Sequence, residues 1–447
     1  MSASIANERM HDPSGEPSAQ SASSMLVGST AAMLADHHAD LLALAWRRRP
    51  QLLLNPLMDF ADLETADDRL LASIDALATL GAPARSNLQD RLKEPLRPED
   101  MFVIALFALA TRDESLFEAC MAIQAVLPDL GSPLIDAFRW APASSMLRSY
   151  LERFPLATRL QLVGDRYRDF SGLVSRVLEA MKAVNEPGEG EILSALDAVS
   201  FFGKVELAVA ALSYLEHRSE AVRFAAAETL LVFGPPNEAR RALDTMSELA
   251  RSGDAVMAES VVRCLAVHAP DQVSEIASSL DGRASKRAQI QIFGWTGRPD
   301  GIPALVGYLD DPQLARLAGA SLLLLTGSDP ARDGWLASSQ RRIEPEGGDD
   351  SMPAPDVDRA LPWPNPEAFR TWWQKNEMRF DCSRRYILGR PIEEGWLAQV
   401  IRRGPLPWRG LAAEHRHRLA KSALFPVHLP ARAQRAIFSE LDRKLTS

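Results

Sequence analysis

The sequence predicts an all-α protein, an elongated α-solenoid of helical hairpins preceded by a helical N-terminal region and followed by a helical C-terminal cap. Three observations point there. Ordered stretches carry apolar residues at helical spacing, and none alternates in the manner of a strand. A weak repeat of about 31 residues runs through the middle of the chain. Aromatic residues, sparse in that array, return beyond it with Trp372 and Trp373 side by side in "PEAFRTWWQKN".

Taken in order, residues 1–28 are rich in Ser, Ala and Pro and lack the apolar run of a signal peptide, so they read as a disordered leader. Residues 29–188 form a helical N-terminal region. "STAAMLADHHADLLALAWRRRP" opens on a Ser/Thr cap and should stop at Pro50, and "DLETADDRLLASIDALATLG" closes at Gly81. "RPEDMFVIALFALATRDE" has Pro98 at a favourable first-turn position and acids beside it. Its apolar core, Met101 to Ala110, is about half the ~20 residues a membrane span needs, so a buried helix is expected and no membrane insertion.

The repeat array occupies residues 189–327. Aligning "AVRFAAAETLLVFG" (221–234) with "LARLAGASLLLLTG" (314–327) superposes Arg223 on Arg316 and Gly234 on Gly327 at a displacement of 93, three times 31. Intermediate copies end at Gly203, His268 and Gly297, so the end points are 31, 34, 29 and 30 residues apart. Each copy pairs a first helix such as "KVELAVAALSYLEH" with a second bearing Val222, Ala225, Ala226, Leu230 and Phe233 on one stripe. Neither helix can bury its stripe alone, which is why such pairs stack. Arg223 and Arg316 recur at one repeat position. Their reading is structural: long side chains pairing with acids of the adjoining turn, such as Glu220, Asp310 or Asp311.

Residues 328–366 are rich in Pro, Asp and Gly and far longer than an ordinary helix connection, so a mobile or loosely draped loop is expected. Residues 367–447 resume as helices. Trp372 and Trp373 project about 100 degrees apart on a helix, so both can be buried if one packs on the last repeat and the other on following helices. A capping helix over the open apolar end of the array is the preferred role.

The pattern in "LVGYLDDPQLARLAGASLLLLTG" resembles bacterial HEAT repeats of the short, phycobilisome-lyase type. In many bacterial HEAT proteins an "LTG" ending is followed, after an insert, by a helix containing "W..WW..N". Here Leu325, Thr326 and Gly327 precede "FRTWWQKN", with Phe369 at the first position. The early "AWRRR", "DRLLASIDALATLG" and the later "RYILGRPI" make the whole chain similar to a proteobacterial HEAT-repeat family associated with type VI secretion gene clusters, whose role is undefined. Arg69, Leu70, Ala72, Asp75, Leu77 and Gly81 match its central motif, while Ser73 and Ala76 stand where it carries His and Gly.

Composition narrows the function classes. A net charge of -9 argues against a general nucleic-acid binder. The charge is uneven: residues 367–447 hold 16 Lys plus Arg against 8 Asp plus Glu, a net +8, which leaves -17 for the rest. Cys120, Cys264 and Cys382 make no CxxC and suggest reduced thiols and a cytoplasmic home. His37 and His38 are adjacent and cannot form an i, i+4 zinc pair, and "EHRHR" at 414–418 is not that motif either. No phosphate loop, dinucleotide fingerprint or nucleophile elbow is present. The expectation is therefore no catalytic residue, no cofactor and no metal. Solenoids present extended binding faces, so a non-enzymatic protein-binding scaffold or adaptor is expected, and the resemblance implies a type VI secretion context. The alternatives are an immunity-like protein that masks a secreted toxin, and a helical-repeat enzyme or nucleic-acid binder.

Overall fold

The computed structural model describes residues 19–154, 188–202, 205–252, 254–278, 282–337 and 358–446, together with positions 158, 159, 162 and 356. Across them the chain is mostly helical, as the all-α expectation requires. No described helix is long and apolar enough to cross a membrane. Contacts divide the chain into two compact units, residues 1–47 with 68–137, and residues 48–67 with 138–447. This division crosses the expected N-terminal region and joins the repeats and the C-terminal segment in one unit.

The first unit draws on α1 (Ala19–Leu53), α2 (Phe60–Leu80), α3 (Ala82–Arg91), α4 (Pro98–Thr111), α5 (Glu114–Val126) and α6 (Gly131–Trp140). Its centre is α4, where every residue from Asp100 to Leu109 is buried. A helix apolar on all sides can only be stable when surrounded. Pro98 starts it, and the Asp100 carboxylate accepts from the Arg97 backbone N–H. Trp46 stacks on Phe102 at 5.1 Å and donates to Asp136. Arg91 ties three helices together through Asp36, Asp40 and Asp100, at 2.5, 2.8 and 3.3 Å.

Two local expectations need correction here. Helix α1 begins at Ala19, inside the segment read as a leader, while residues 1–18 lie outside the described residues. It also passes through Pro50 to Leu53. Proline removes one donor but keeps a helical φ, and Leu52 and Leu53 pack against the larger unit's core.

In the second unit, after α7 (Ser145–Leu151), come α8 (Glu189–Phe202), α9 (Glu220–Phe233), α10 (Pro236–Ser252), α11 (Ala255–His268), α12 (Val273–Ser278), α13 (Gly282–Thr296), α14 (Ile302–Tyr308) and α15 (Ala315–Thr326). The second helices α8, α9, α11, α13 and α15 end within one residue of the five end points read from the repeat. Between α8 and α9 the first helix is a 3-10 helix, Val205–Tyr214. Ser219 and Asp254 cap α9 and α11 by accepting from the Val222 and Met257 N–H groups. Helix α9 packs on α10, α10 on α11, α11 on α13 and α13 on α15. All twelve residues of α15 are buried.

The C-terminal segment adds α16 (Pro366–Asn376), α17 (Glu394–Arg403), α18 (Leu406–Ala420) and α19 (Ala431–Thr446). It also holds an element absent from the sequence reading: an antiparallel hairpin of β1 (Tyr386–Ile387) and β2 (Arg390–Pro391). Leu388 and Gly389 take φ of 49° and 74° in its two-residue turn, the twist that suits a tight hairpin. Strands of two residues carry no detectable alternation, so periodicity could not reveal them.

This hairpin docks on helix ends. Its Leu388 and Gly389 N–H groups donate to the Leu324 and Leu325 carbonyls at the end of α15, at 2.5 and 3.1 Å. The Tyr386 N–H donates to the Gly297 carbonyl just past α13, at 2.7 Å. Arg385 donates to Thr296 and Ala266 carbonyls, at 2.6 and 2.9 Å. Carbonyls that helix termini leave without intrahelical partners are thus satisfied on three successive repeats. Gly327 has φ of 63°, and a Cβ there would lie 2.4 Å from the Leu388 carbonyl group. The glycine of "LTG" is needed both for the turn and for the approach of the hairpin.

Residues 328–337 and 358–366 of the expected loop are pinned rather than draped. Trp335 is wholly buried, Ala337 donates to Trp363, and Asn365 donates to Trp335. Residues 338–355 and 357 lie outside the described residues.

Candidate functional site

Of the residues singled out from the sequence, Trp372 and Trp373 are each half-buried on α16, beside Phe369 and Phe380 at 5.6 and 5.5 Å. The fully buried anchor of that helix is Phe369, which meets Trp335 edge to face at 5.3 Å. Arg223 pairs with Glu220 and Glu248 at 3.6 and 3.0 Å. Arg316 does not reach Asp310 or Asp311. It pairs with Asp356 at 2.6 Å and lies 4.8 Å over Trp363, while Asp310 takes Arg370. The two repeat arginines are therefore separate anchors and do not meet in a site.

A crevice of about 220 Å³ does form between the second helices and the C-terminal segment. Its wall is built from Arg263 on α11, Gln291 and Trp295 on α13, Ser321 on α15, Leu361, and Trp408 on α18. Helix α11 supplies Arg263, α13 a pair of residues one turn apart and α15 a longer, largely apolar face, and α18 closes the crevice. Arg263 lies 6.0 Å from the Trp295 ring and donates to Glu414 at 2.7 Å. The Trp408 indole N–H is buried without a partner. An apolar pocket with a few oriented donors is the usual form of a recognition site.

Behind Arg263 lies a cluster of titratable groups. Glu228 of α9 and Cys264 and His268 of α11 bring their ligand atoms within 4.8 Å of one another. Burial pushes the Glu228 carboxyl up to about 7, with Glu414 and Asp197 adding to the effect and Arg263 opposing it. Burial also raises the Cys264 thiol well above its ordinary range and lowers His268 to about 3. From α18, His415 is depressed by burial and by Arg385 and His268 nearby, against the opposing effect of the Trp295 backbone. His417 pairs through Nδ1 with the Ser422 carbonyl and stands edge to face with Phe233 at 4.9 Å. Burial thus holds Glu228, Cys264 and His268 toward their neutral forms, and Arg263 is held charged chiefly by Glu414.

The adjacent His37 and His38, the spacing at 414–418 and the lack of a CxxC gave no sign of this cluster. Cys264 and His268 are four apart on one helix, the spacing that puts two side chains on one face. That signal was present in "CLAVH". Glu228 was not discoverable in the same way, since it lies on another helix.

Compared with known families, curated proteins and solved structures, the chain matches none.

Proposed function

We propose that this chain is a non-enzymatic protein-binding scaffold built on a HEAT-like helical array, with the crevice at Arg263, Trp295 and Trp408 as its contact point. The observation that carries the reading is the construction of that crevice from three consecutive repeats and α18. A repeat array that closes a largely apolar pocket with an arginine in its wall is suited to an apolar side chain flanked by a carboxylate. The resemblance of the sequence to HEAT proteins of type VI secretion clusters supplies the partner class, a component or effector of such an apparatus. A cytoplasmic location is part of this reading, supported by three scattered cysteines without a CxxC.

Gln291 is half-buried at the crevice edge, so Gln291→Trp fills the pocket from its polar side. Affinity capture with a tagged chain from cells expressing the secretion apparatus should recover secretion proteins, and Gln291→Trp should lose them while keeping the melting temperature. Recovery of nucleic acid alone, or an unchanged set of partners with the filled crevice, refutes the reading.

A further inference from the structure

We propose that Glu228, Cys264 and His268 form a zinc site that joins α9 to α11. The inference goes beyond the scaffold reading and does not depend on it. Three independent features support it. The donor set combines a thiol, an imidazole and a carboxylate, a combination that suits zinc and is poorly matched to magnesium or calcium, which prefer oxygen. The three ligand atoms already lie within 4.8 Å of one another. Tetrahedral zinc with bonds of about 2.0 to 2.3 Å separates its ligands by roughly 3.5 Å, so a contraction of about 1 Å or a rotamer adjustment completes the site.

The second feature is an unmet need. His268 Nδ1 is buried with no hydrogen-bond partner, which costs free energy unless something occupies it. The third is charge. Arg263, the nearby cation, is paired with Glu414 at 2.7 Å and so does not stand unpaired against a metal. Binding of Zn²⁺ releases the thiol proton and any carboxyl proton to solvent. A thiolate, a carboxylate and a neutral imidazole then balance the two positive charges. The loaded cluster is neutral overall, the state a poorly solvated interior favours.

Glu228 and His268 each keep a small accessible face, whereas Cys264 is buried. Together they supply three of the four positions that tetrahedral zinc takes. Cys264 and His268 rise from one helix at i and i+4, and Glu228 comes from the preceding second helix of the array. Zinc would thereby staple two consecutive repeats at their second helices.

The test uses the full-length chain carrying no histidine tag, stripped with chelator. Zinc is titrated in competition with a chromophoric chelator, and Co²⁺ is added separately as a spectroscopic probe. One equivalent should bind per chain, and Co²⁺ should give a thiolate charge-transfer band in the near ultraviolet. Cys264→Ser should abolish that band. Cys264→Ser and His268→Gln should each weaken zinc binding by more than about tenfold. Cys382→Ser, at an exposed cysteine, should change nothing. Circular dichroism confirms that each variant folds. X-ray absorption on the zinc-loaded wild-type protein needs no variant and should show one sulfur in the coordination shell. An all-nitrogen-and-oxygen shell, no thiolate band on the folded wild-type chain, or a band that survives in Cys264→Ser overturns the proposal.

Discussion

Replacing Gly327 by alanine tests whether the β-hairpin is an integral part of the helical unit. Gly327 ends α15 with φ of 63°. An L-residue in that conformation costs roughly 1–2 kcal/mol. The new Cβ would also lie 2.4 Å from the Leu388 carbonyl carbon and oxygen, so the hairpin backbone must move. Movement threatens the Leu388 and Gly389 bonds to Leu324 and Leu325. At about 1 kcal/mol net for each bond, Gly327→Ala should cost about 3–4 kcal/mol. Gly334 is the control in the same unit: its φ is 79°, but a Cβ there meets nothing within 4 Å. Gly334→Ala should therefore cost only the conformational part, roughly 1–2 kcal/mol. Urea unfolding followed by tryptophan fluorescence reads the difference, because Trp335, Trp396 and Trp408 all belong to this unit. Equal losses for the two variants would refute the docking role of the hairpin.

Other substitutions test the anchors and the acid response. Phe369→Ala removes a wholly buried ring and should destabilise by about 3–5 kcal/mol, whereas Trp373→Ala, at a half-buried position, should cost less in the same urea assay. Arg316→Ala should cost more than Arg223→Ala, because Arg316 is buried against Asp356 and Trp363 while the Arg223 partner Glu248 is exposed. In the first unit the Arg91 hydrogen bond lowers the Asp36 carboxyl. At Asp100 burial acts upward, but Arg97 and Arg91 prevail and lower it. A carboxyl depressed in the folded state adds stability above its unfolded value, near pH 4, and that stability is lost as pH falls through the folded value. Circular dichroism during acid titration should show the loss below about pH 4, with a shallower slope in Asp100→Asn. An unchanged slope would remove Asp100 from the acid response.

Much of the helical order was legible in the chain because its signals are local. The apolar stripe on α9, the complete apolar surface of α4 and the small residues at 225–227 follow from spacing alone. The helix ends at Gly297 and Gly327 were legible for the same reason, since each glycine interrupts a helical pattern where positive φ is needed. Gly234, expected from the sequence to make the same positive-φ turn, instead closes α9 with φ of -69°. The hairpin, by contrast, has strands too short to show a period, and its partners are helix carbonyls from Ala266 to Leu325.

Spacing within one helix determined which residues could share a face: Cys264 with His268, Arg263 one position away, and the apolar stripes that force helices to pair. Tertiary structure alone decided which faces met. It brought Glu228 beside Cys264 and His268, gave Arg316 to Asp356 instead of Asp310, and put Trp408 opposite Trp295 across a crevice. Periodicity reports the interactions of a residue with its own turn of helix. Partners 36 to 40 residues away, such as Cys264 for Glu228 and Asp356 for Arg316, are selected by packing of whole elements, which leaves no mark on local spacing.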